Sequence, residues 1–128
     1  METVSKALVA EDDRALADII RLALTRGGYQ VTVAHDGKKA LTLATHSKFD
    51  VVVSDYQMPM LNGEQLLSGI RAEGASQEAL LFLCSAKSFE LDSERIKREL
   101  RLSAVFFKPF SLGELVSTIK SHQTAALA

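Results

Sequence analysis

The stretch Val51-Val52-Val53-Ser54-Asp55 places an unbroken run of β-branched apolar residues directly before two polar residues. A run that is apolar throughout, instead of alternating with polar residues, is typical of a strand that a parallel sheet buries on both faces. The run from Leu80 to Cys84 has the same character. These two runs therefore predict the central strands of a sheet that carries helices on both sides.

Three further apolar runs lie at Ala7-Leu8-Val9-Ala10, Val31-Thr32-Val33-Ala34 and Ala104-Val105-Phe106-Phe107. Between the runs, apolar residues recur at the spacings of three and four that indicate amphipathic helices. Strand and helix thus alternate five times along the chain. This pattern predicts an α/β fold with a five-stranded parallel sheet.

Start and stop signals locate the helices between the strands. The first helix is predicted to end at Gly27-Gly28, because glycine readily adopts the left-handed conformation that follows a helix. The last is predicted to begin at Ser111, with Glu114 completing a capping box. Charges interrupt the apolar stripe between Ser88 and Leu100, so the fourth helix is expected to be the least firmly packed. We expect a domain of residues 1–122 followed by a frayed tail at 123–128.

Length and composition limit the classes of function. A chain of 128 residues with 47% apolar residues can bury one core but has no room for a second domain of ordinary size. A net charge of −1 argues against direct binding to nucleic acid or to an anionic membrane surface. Cys84 is the single cysteine, and the apolar runs are too short for a signal peptide or a membrane span. We therefore expect a cytoplasmic protein without disulfides.

Polar residues stand where the predicted strands end. Glu11-Asp12-Asp13 follow the first strand, Asp55 ends the third, Ser85 follows the fourth and Lys108 follows the fifth. The second strand is the exception, because the residues at its end do not suggest phosphoryl chemistry. Functional groups of an open parallel sheet gather at the carboxyl ends of its strands. We therefore expect these side chains to form one site.

The residue types at this edge suit phosphoryl chemistry. Clustered carboxylates repel one another, and a hard divalent cation such as Mg²⁺ relieves the repulsion. Asp55 could then act as a nucleophile that forms an aspartyl phosphate. Lys108 would contact one oxygen of the phosphoryl group, and the Ser85 hydroxyl would donate to another.

Four segments of the chain resemble response regulator receiver domains of two-component signal transduction: Ala7 to Asp13, Asp55 to Gly63, Ser85-Ala86 and Lys108 to Phe110. The pattern Asp-x-x-Met-Pro-x-x-x-Gly in the second segment is the most specific of them. The resemblance covers nearly the whole chain. It implies a doubly wound (βα)5 flavodoxin-like fold with strand order 2-1-3-4-5.

The resemblance also implies roles for the acidic residues and their neighbour. Asp55 would be the phosphoacceptor and a metal ligand, and Asp12 would bind Mg²⁺ directly. Glu11 would act mostly through water on the metal, and Gln57 would offer its backbone carbonyl to the metal. Asp13 is expected only to cap the first helix.

Ser85 would be the switch residue of this family and Lys108 its lysine, which is often followed by a cis proline, here Pro109. One position departs from the pattern, because many receivers carry Tyr or Phe three residues before the lysine and this chain has Val105. We expect Phe107 to share the face of Val105, since alternate residues of a strand point the same way. Signalling is then expected to depend on loop motion more than on a moving ring.

The resemblance implies a signalling switch that catalyses only its own phosphorylation and dephosphorylation. The phosphoryl donor would be the phosphohistidine of a histidine kinase or of a phosphotransfer protein. The face formed by helix four, strand five and helix five would signal to an unknown partner or to a fused output domain. The domain would be a monomer or a phosphorylation-dependent dimer, with no direct contact to nucleic acid or membrane.

Other interpretations fit the residues less well. A flavodoxin-like cofactor binder should not place Glu11-Asp12-Asp13 where a phosphate binds, since the acids would repel it. A haloacid-dehalogenase-type phosphatase needs an Asp-x-Asp pair, and Gln57 stands where the second acid would be. The remaining alternative is a degenerate receiver that acts as a phosphorylation-independent binding module. The histidines His35, His46 and His122 share no metal-ligand spacing and are expected at the surface.

Overall fold

The computed structural model describes residues 4–86 and 92–127. Strands and helices alternate along this part of the chain, as the sequence predicts. In chain order they are β1 (Lys6–Ala10), α1 (Arg14–Arg26), β2 (Gln30–Ala34), α2 (Gly37–His46), β3 (Val51–Asp55), α3 (Gly63–Ala72), β4 (Leu80–Ser85), α4 (Ser93–Leu100), β5 (Ala104–Phe107) and α5 (Leu112–Leu127).

The strands form one sheet in the order β2-β1-β3-β4-β5, and every neighbouring pair is parallel. The predicted flavodoxin-like fold and its strand order are therefore confirmed. The register brings the carboxyl ends of the central strands level with one another, with Ala10 opposite Ser54 and Asp55 opposite Cys84. Residues that directly follow β1 and β3 consequently meet at one edge of the sheet.

Helices cover both faces of the sheet, so each strand contributes to two cores. Leu8, Val52 and Leu83 belong to the core under α2, α3 and α4. Val9 and Phe82 belong to the opposite core, under α1 and α5. All five side chains are fully buried, and burying each contributes roughly 1.5–3 kcal/mol. The unbroken apolar runs of the sequence follow from this burial on both faces.

Polar side chains cap the helices that lead away from the strand ends. Asp13 accepts from the backbone N–H groups of Ala15 and Leu16 at the start of α1, as predicted. Ser111 Oγ likewise accepts from the N–H of Glu114 at 3.2 Å. At α4, Asp92 is the cap, and the part of the predicted fourth helix from Ser88 to residue 91 lies outside the described residues.

The end of the chain differs from the prediction of a frayed tail. Helix α5 continues through residues 123–127. Gln123 accepts from the Tyr29 hydroxyl at 2.7 Å and donates from Nε2 to Ser5 Oγ at 2.8 Å. These long-range bonds hold the last turns of α5 against the amino ends of β1 and β2, which the local sequence does not reveal. The domain boundary at residue 122 stays a prediction.

Over residues 4–86 and 92–127, the helices lack the combination of length and apolar content that crossing a membrane requires.

Candidate functional site

Three carboxylates converge at the carboxyl edge of the sheet. Glu11 and Asp12 directly follow β1, and Asp55 is the last residue of β3. One carboxylate oxygen from each lies within 4.8 Å of the others. Glu11 and Asp55 are only 3% and 7% exposed, whereas Asp12 is exposed to solvent. The pairing of β1 with β3 creates this cluster, because it places the two strand ends side by side.

Lys108 provides the positive charge of the site. Its Nζ lies 2.7 Å from Oδ1 of Asp55 and 3.4 Å from Oε1 of Glu11. The Lys108 backbone N–H donates to the carbonyl of Ser85 at 2.8 Å, which continues the pairing of β4 with β5. The lysine therefore reaches across the end of β4 to the acids on β1 and β3.

The packing of these groups changes their protonation. Burial, aided by the negative charge of Asp55, raises the pKa of Glu11 from 4.5 to about 7. Burial also raises the pKa of Asp55, although its hydrogen bond with Lys108 works in the opposite direction. For Lys108 burial lowers the pKa, but the bonds to the two carboxylates outweigh burial and the net direction is upward. Two buried carboxylates thus share one lysine, and burial disfavours the ionised form of each.

Gly63 allows α3 to begin directly against the end of β3. A Cβ atom at this position would lie 2.5 Å from the carbonyl oxygen of Asp55 and 2.7 Å from Cδ1 of Leu83. The Gly63 N–H donates to the carbonyl of Tyr56 at 2.6 Å, and Ser54 Oγ donates to the Asp55 carbonyl at 2.9 Å. The Asn-Gly start of this helix is therefore a requirement of close packing behind Asp55.

Ser85 and Gln57 follow the strand ends on either side of the β3–β4 pairing, Ser85 at the end of β4 and Gln57 two residues after Asp55. Ser85 ends β4, is 3% exposed, and follows Cys84, which pairs with Asp55 in the sheet. Gln57 is an exposed residue of the loop between β3 and α3. The structure therefore brings together Glu11, Asp12, Asp55 and Lys108, with Ser85 on the neighbouring strand end. The individual roles assigned to these residues, and that of the Gln57 carbonyl, stay predictions.

His35, which the sequence predicts at the surface, is half-buried in the structure. It directly follows β2, and its Nδ1 lies 3.0 Å from the backbone carbonyl oxygen of Glu11. Its position immediately after the second apolar run was the available signal, since that is where the other strands carry their site residues. His122 is also more than a surface residue, because its ring packs edge-on against Phe82 at a centroid distance of 5.9 Å. His46 is exposed, as predicted.

The Lys108–Pro109 peptide bond is cis, as the resemblance implies. Phe107 is on the same side of β5 as Val105 and is 40% exposed, whereas Phe106 points into the opposite core. The strand face that turns toward α4 therefore ends in a partly exposed ring.

Comparisons with known proteins agree with this geometry. A probable transcriptional regulator, ycf29, of Pyropia yezoensis is 32% identical over 117 residues, which are 91% of this chain and 52% of that protein. This chain therefore spans about half the length of that relative. The receiver domain of the Francisella response regulator 1452 is 31% identical, with a TM-score of 0.82 over 95% of this chain and 98% of that one.

A second similar structure is the receiver domain of the sensor histidine kinase PA1611 from Pseudomonas aeruginosa, solved with a magnesium ion coordinated in its active site cleft. It is 24% identical and has a TM-score of 0.84, covering 95% of this chain and 99% of that one. The sequence model of the family described as the response regulator receiver domain matches residues 7–120 of this chain. Together with the strand order and the acid cluster, this match shows that the chain belongs to the response regulator receiver domain family.

Proposed function

We propose that this domain accepts a phosphoryl group onto Asp55 from the phosphohistidine of a histidine kinase or a phosphotransfer protein. The observation that carries the proposal is the environment of Asp55. Its carboxylate is 2.7 Å from the Lys108 ammonium and within 4.8 Å of the carboxylates of Glu11 and Asp12. A nucleophile, a cation for the phosphoryl oxygens and acids suited to a divalent metal are thus in one place.

The residues present fit Mg²⁺. Burial raises the pKa of Glu11 to about 7, and a divalent cation beside its carboxylate would offset the cost of burying the negative charge. Asp12 and Asp55 would bind the ion directly, Glu11 would act through water, and the Gln57 carbonyl would complete the set. When bound, Mg²⁺ offsets the negative charge of the transferred group. The magnesium ion in the Pseudomonas structure is consistent with this assignment, which rests on the carboxylates of this chain.

The chain's own residues would perform the transfer. Lys108 lies 2.7 Å from Oδ1 of Asp55, so we assign the attack on phosphorus to Oδ2. A P–O bond forms at Asp55 while the P–N bond of the phosphohistidine breaks, and its electron pair stays on the departing imidazole. The Lys108 ammonium and the Ser85 hydroxyl would then donate to phosphoryl oxygens. Attack by water on phosphorus would later release phosphate and restore the carboxylate.

The proposed output is a change in the surface formed by α4, β5 and α5. Ser85 ends β4, and α4 is the next element along the chain. Movement of Ser85 toward the phosphoryl oxygens would displace α4. Helix α4 has only Ile96 fully buried, and a half-exposed ion pair of 3.2 Å joins its Arg95 to Glu64 of α3. Such a helix can shift at small energetic cost.

The recipient of the signal would be a partner protein or a fused output domain. The ycf29 relative is about twice as long as the matched region, which is compatible with an additional domain in proteins of this type. We propose that the domain is a switch in the cytoplasm, monomeric or dimeric on phosphorylation, which catalyses only reactions of its own Asp55. The convergence of the acids and Lys108 favours this function over a phosphorylation-independent binding module.

The test is the intact mass after incubation with a small phosphodonor such as acetyl phosphate. The wild type should gain one phosphoryl group in the presence of Mg²⁺ and none in the presence of EDTA. Asp55→Ala should gain none under either condition. Equal labelling of the variant and the wild type would overturn the assignment of Asp55, and equal labelling with and without Mg²⁺ would overturn the metal requirement.

A further inference from the structure

The backbone of Glu11 is held from β2 at both of its polar groups. Its N–H donates to the carbonyl of Ala34 at 3.0 Å, and its carbonyl oxygen lies 3.0 Å from Nδ1 of His35. A carbonyl oxygen can only accept, so Nδ1 of His35 carries the hydrogen. The histidine ring thereby extends the bonding between β1 and β2 past Ala10 and Ala34, their last paired residues.

This bond acts on the peptide that precedes Asp12. The carbonyl of Glu11 and the N–H of Asp12 belong to one planar peptide group. A hydrogen bond that fixes the direction of the carbonyl therefore also fixes the direction in which the chain enters Asp12. The Glu11 side chain has restraints of its own. Its Oε2 accepts a hydrogen bond from the backbone N–H of Asp13 at 3.1 Å, and its Oε1 lies 3.4 Å from Nζ of Lys108. Asp12 is exposed, so its position depends more on its backbone than on packing.

We propose that His35 is a positioning residue for the acid cluster. Its Nδ1–H bond to the Glu11 carbonyl holds the Asp12 carboxylate next to Glu11 and Asp55, in the arrangement that takes Mg²⁺. The inference rests on the proposed function, because it assigns His35 a part in metal binding at that same site. Groups that orient metal ligands without touching the metal typically account for about 10–100-fold in metal affinity.

The side-chain chemistry provides variants that separate this role from a merely structural one. His35→Ala removes the donor. His35→Asn retains it, because the amide nitrogen of asparagine is as many bonds from Cβ as Nδ1 of histidine. His35→Gln places the amide one bond further away, where it matches Nε2 instead. His46→Ala is the matched control, since His46 Nδ1 makes a similar 2.9 Å contact with the carbonyl of Thr42 in α2, away from the acids.

The experiment is a titration of the unphosphorylated full chain with Mg²⁺, followed through the amide signals of Asp12 and Asp55 by NMR. Thermal unfolding of each variant is measured alongside. We expect His35→Ala to weaken Mg²⁺ affinity about tenfold or more, His35→Asn to recover most of it and His35→Gln not to. His46→Ala should bind as the wild type does. If His35→Ala does not fold, the Mg²⁺ affinities of His35→Asn and His35→Gln are compared with each other instead.

The outcomes distinguish this inference from the proposed function. Wild-type affinity in His35→Ala, or equal affinity in the Asn and Gln variants, would overturn the positioning role and leave the proposed metal site intact. A lower melting temperature without a loss of affinity would show that His35 is structural only, and so would also overturn it. A wild type that binds no Mg²⁺ would overturn the metal proposal and this inference together.

Discussion

Replacing Glu11 with glutamine should stabilise the metal-free protein at neutral pH. Glu11 is 3% exposed, and its pKa is raised from 4.5 to about 7 by burial and by the charge of Asp55. One pKa unit corresponds to about 1.4 kcal/mol, so keeping Glu11 ionised costs the folded state about 3 kcal/mol. Glutamine keeps an oxygen that can accept from the N–H of Asp13, as Glu11 Oε2 does at 3.1 Å, but carries no charge.

The pH dependence of this effect has a definite sign. Between pH 4.5 and about 7, folded Glu11 holds a proton that the unfolded chain has released. The folded state binds more protons in this window, so the contribution of Glu11 to wild-type stability falls as the pH rises. The gain in stability of Glu11→Gln over the wild type should therefore be small below pH 4.5. It should approach its full value above pH 7.

The assay is urea unfolding in EDTA, followed by far-UV circular dichroism because the chain contains no tryptophan. Glu78→Gln is the control, since the Glu78 side chain is exposed and its carboxylate lies 3.9 Å from the Arg101 guanidinium in a solvent-exposed ion pair. This control should show no comparable gain. In the wild type, Mg²⁺ at a hundred times its Kd should raise the free energy of unfolding by about 2.7 kcal/mol. If Glu11→Gln is no more stable than the wild type above pH 7, the buried charge does not carry the cost assigned to it.

Four further substitutions test the metal site and the switch. Asp12→Ala should slow phosphorylation by acetyl phosphate, measured by intact mass. Loss of a group that only orients a metal ligand typically costs about 10–100-fold, and loss of the ligand Asp12 should cost at least as much. A wild-type rate in this variant would contradict the metal assignment. Ser85→Ala should still accept the phosphoryl group but lose most of the phosphorylation-dependent amide shifts over residues 92–107 by NMR, and a full response would exclude Ser85 as the switch. Phe107→Leu should keep those shifts, as should Val105→Tyr, because we expect loop motion and not a moving ring to drive the change. Loss of the shifts in Phe107→Leu, with phosphorylation and fold intact, would make Phe107 the moving element.

The sequence predicted the sheet well because its signals are local. The unbroken apolar runs at Val51-Val52-Val53 and Leu80 to Cys84 became β3 and β4, whose residues are buried on both faces. The acids after β1 and at the end of β3 could be grouped, since parallel strands end at one edge. Their approach to within 4.8 Å follows from strand pairing, which the resemblance supplied.

Contacts between residues far apart in the chain could not be predicted from the sequence. His35 bonds to a backbone carbonyl 24 positions away, and a carbonyl leaves no trace in the residue type that carries it. Gln123 bonds to Ser5 and Tyr29, residues near the start of the chain and before β2, and local composition gives no sign of these partners. Arg71 donates to the carbonyls of Gln77, Ala79, Leu100 and Arg101, and thereby joins the end of α3 to the end of α4. Each of these contacts depends on the packed fold.

The central claim is that Asp55 itself carries the phosphoryl group. An acyl phosphate is reduced by borohydride to an alcohol, which converts a phosphorylated aspartate into homoserine. The wild type should be treated with acetyl phosphate and Mg²⁺, reduced, digested and sequenced by mass spectrometry. We predict homoserine at position 55 and unmodified aspartate at positions 12 and 13. Homoserine at another acidic residue, with position 55 unmodified, would contradict the account.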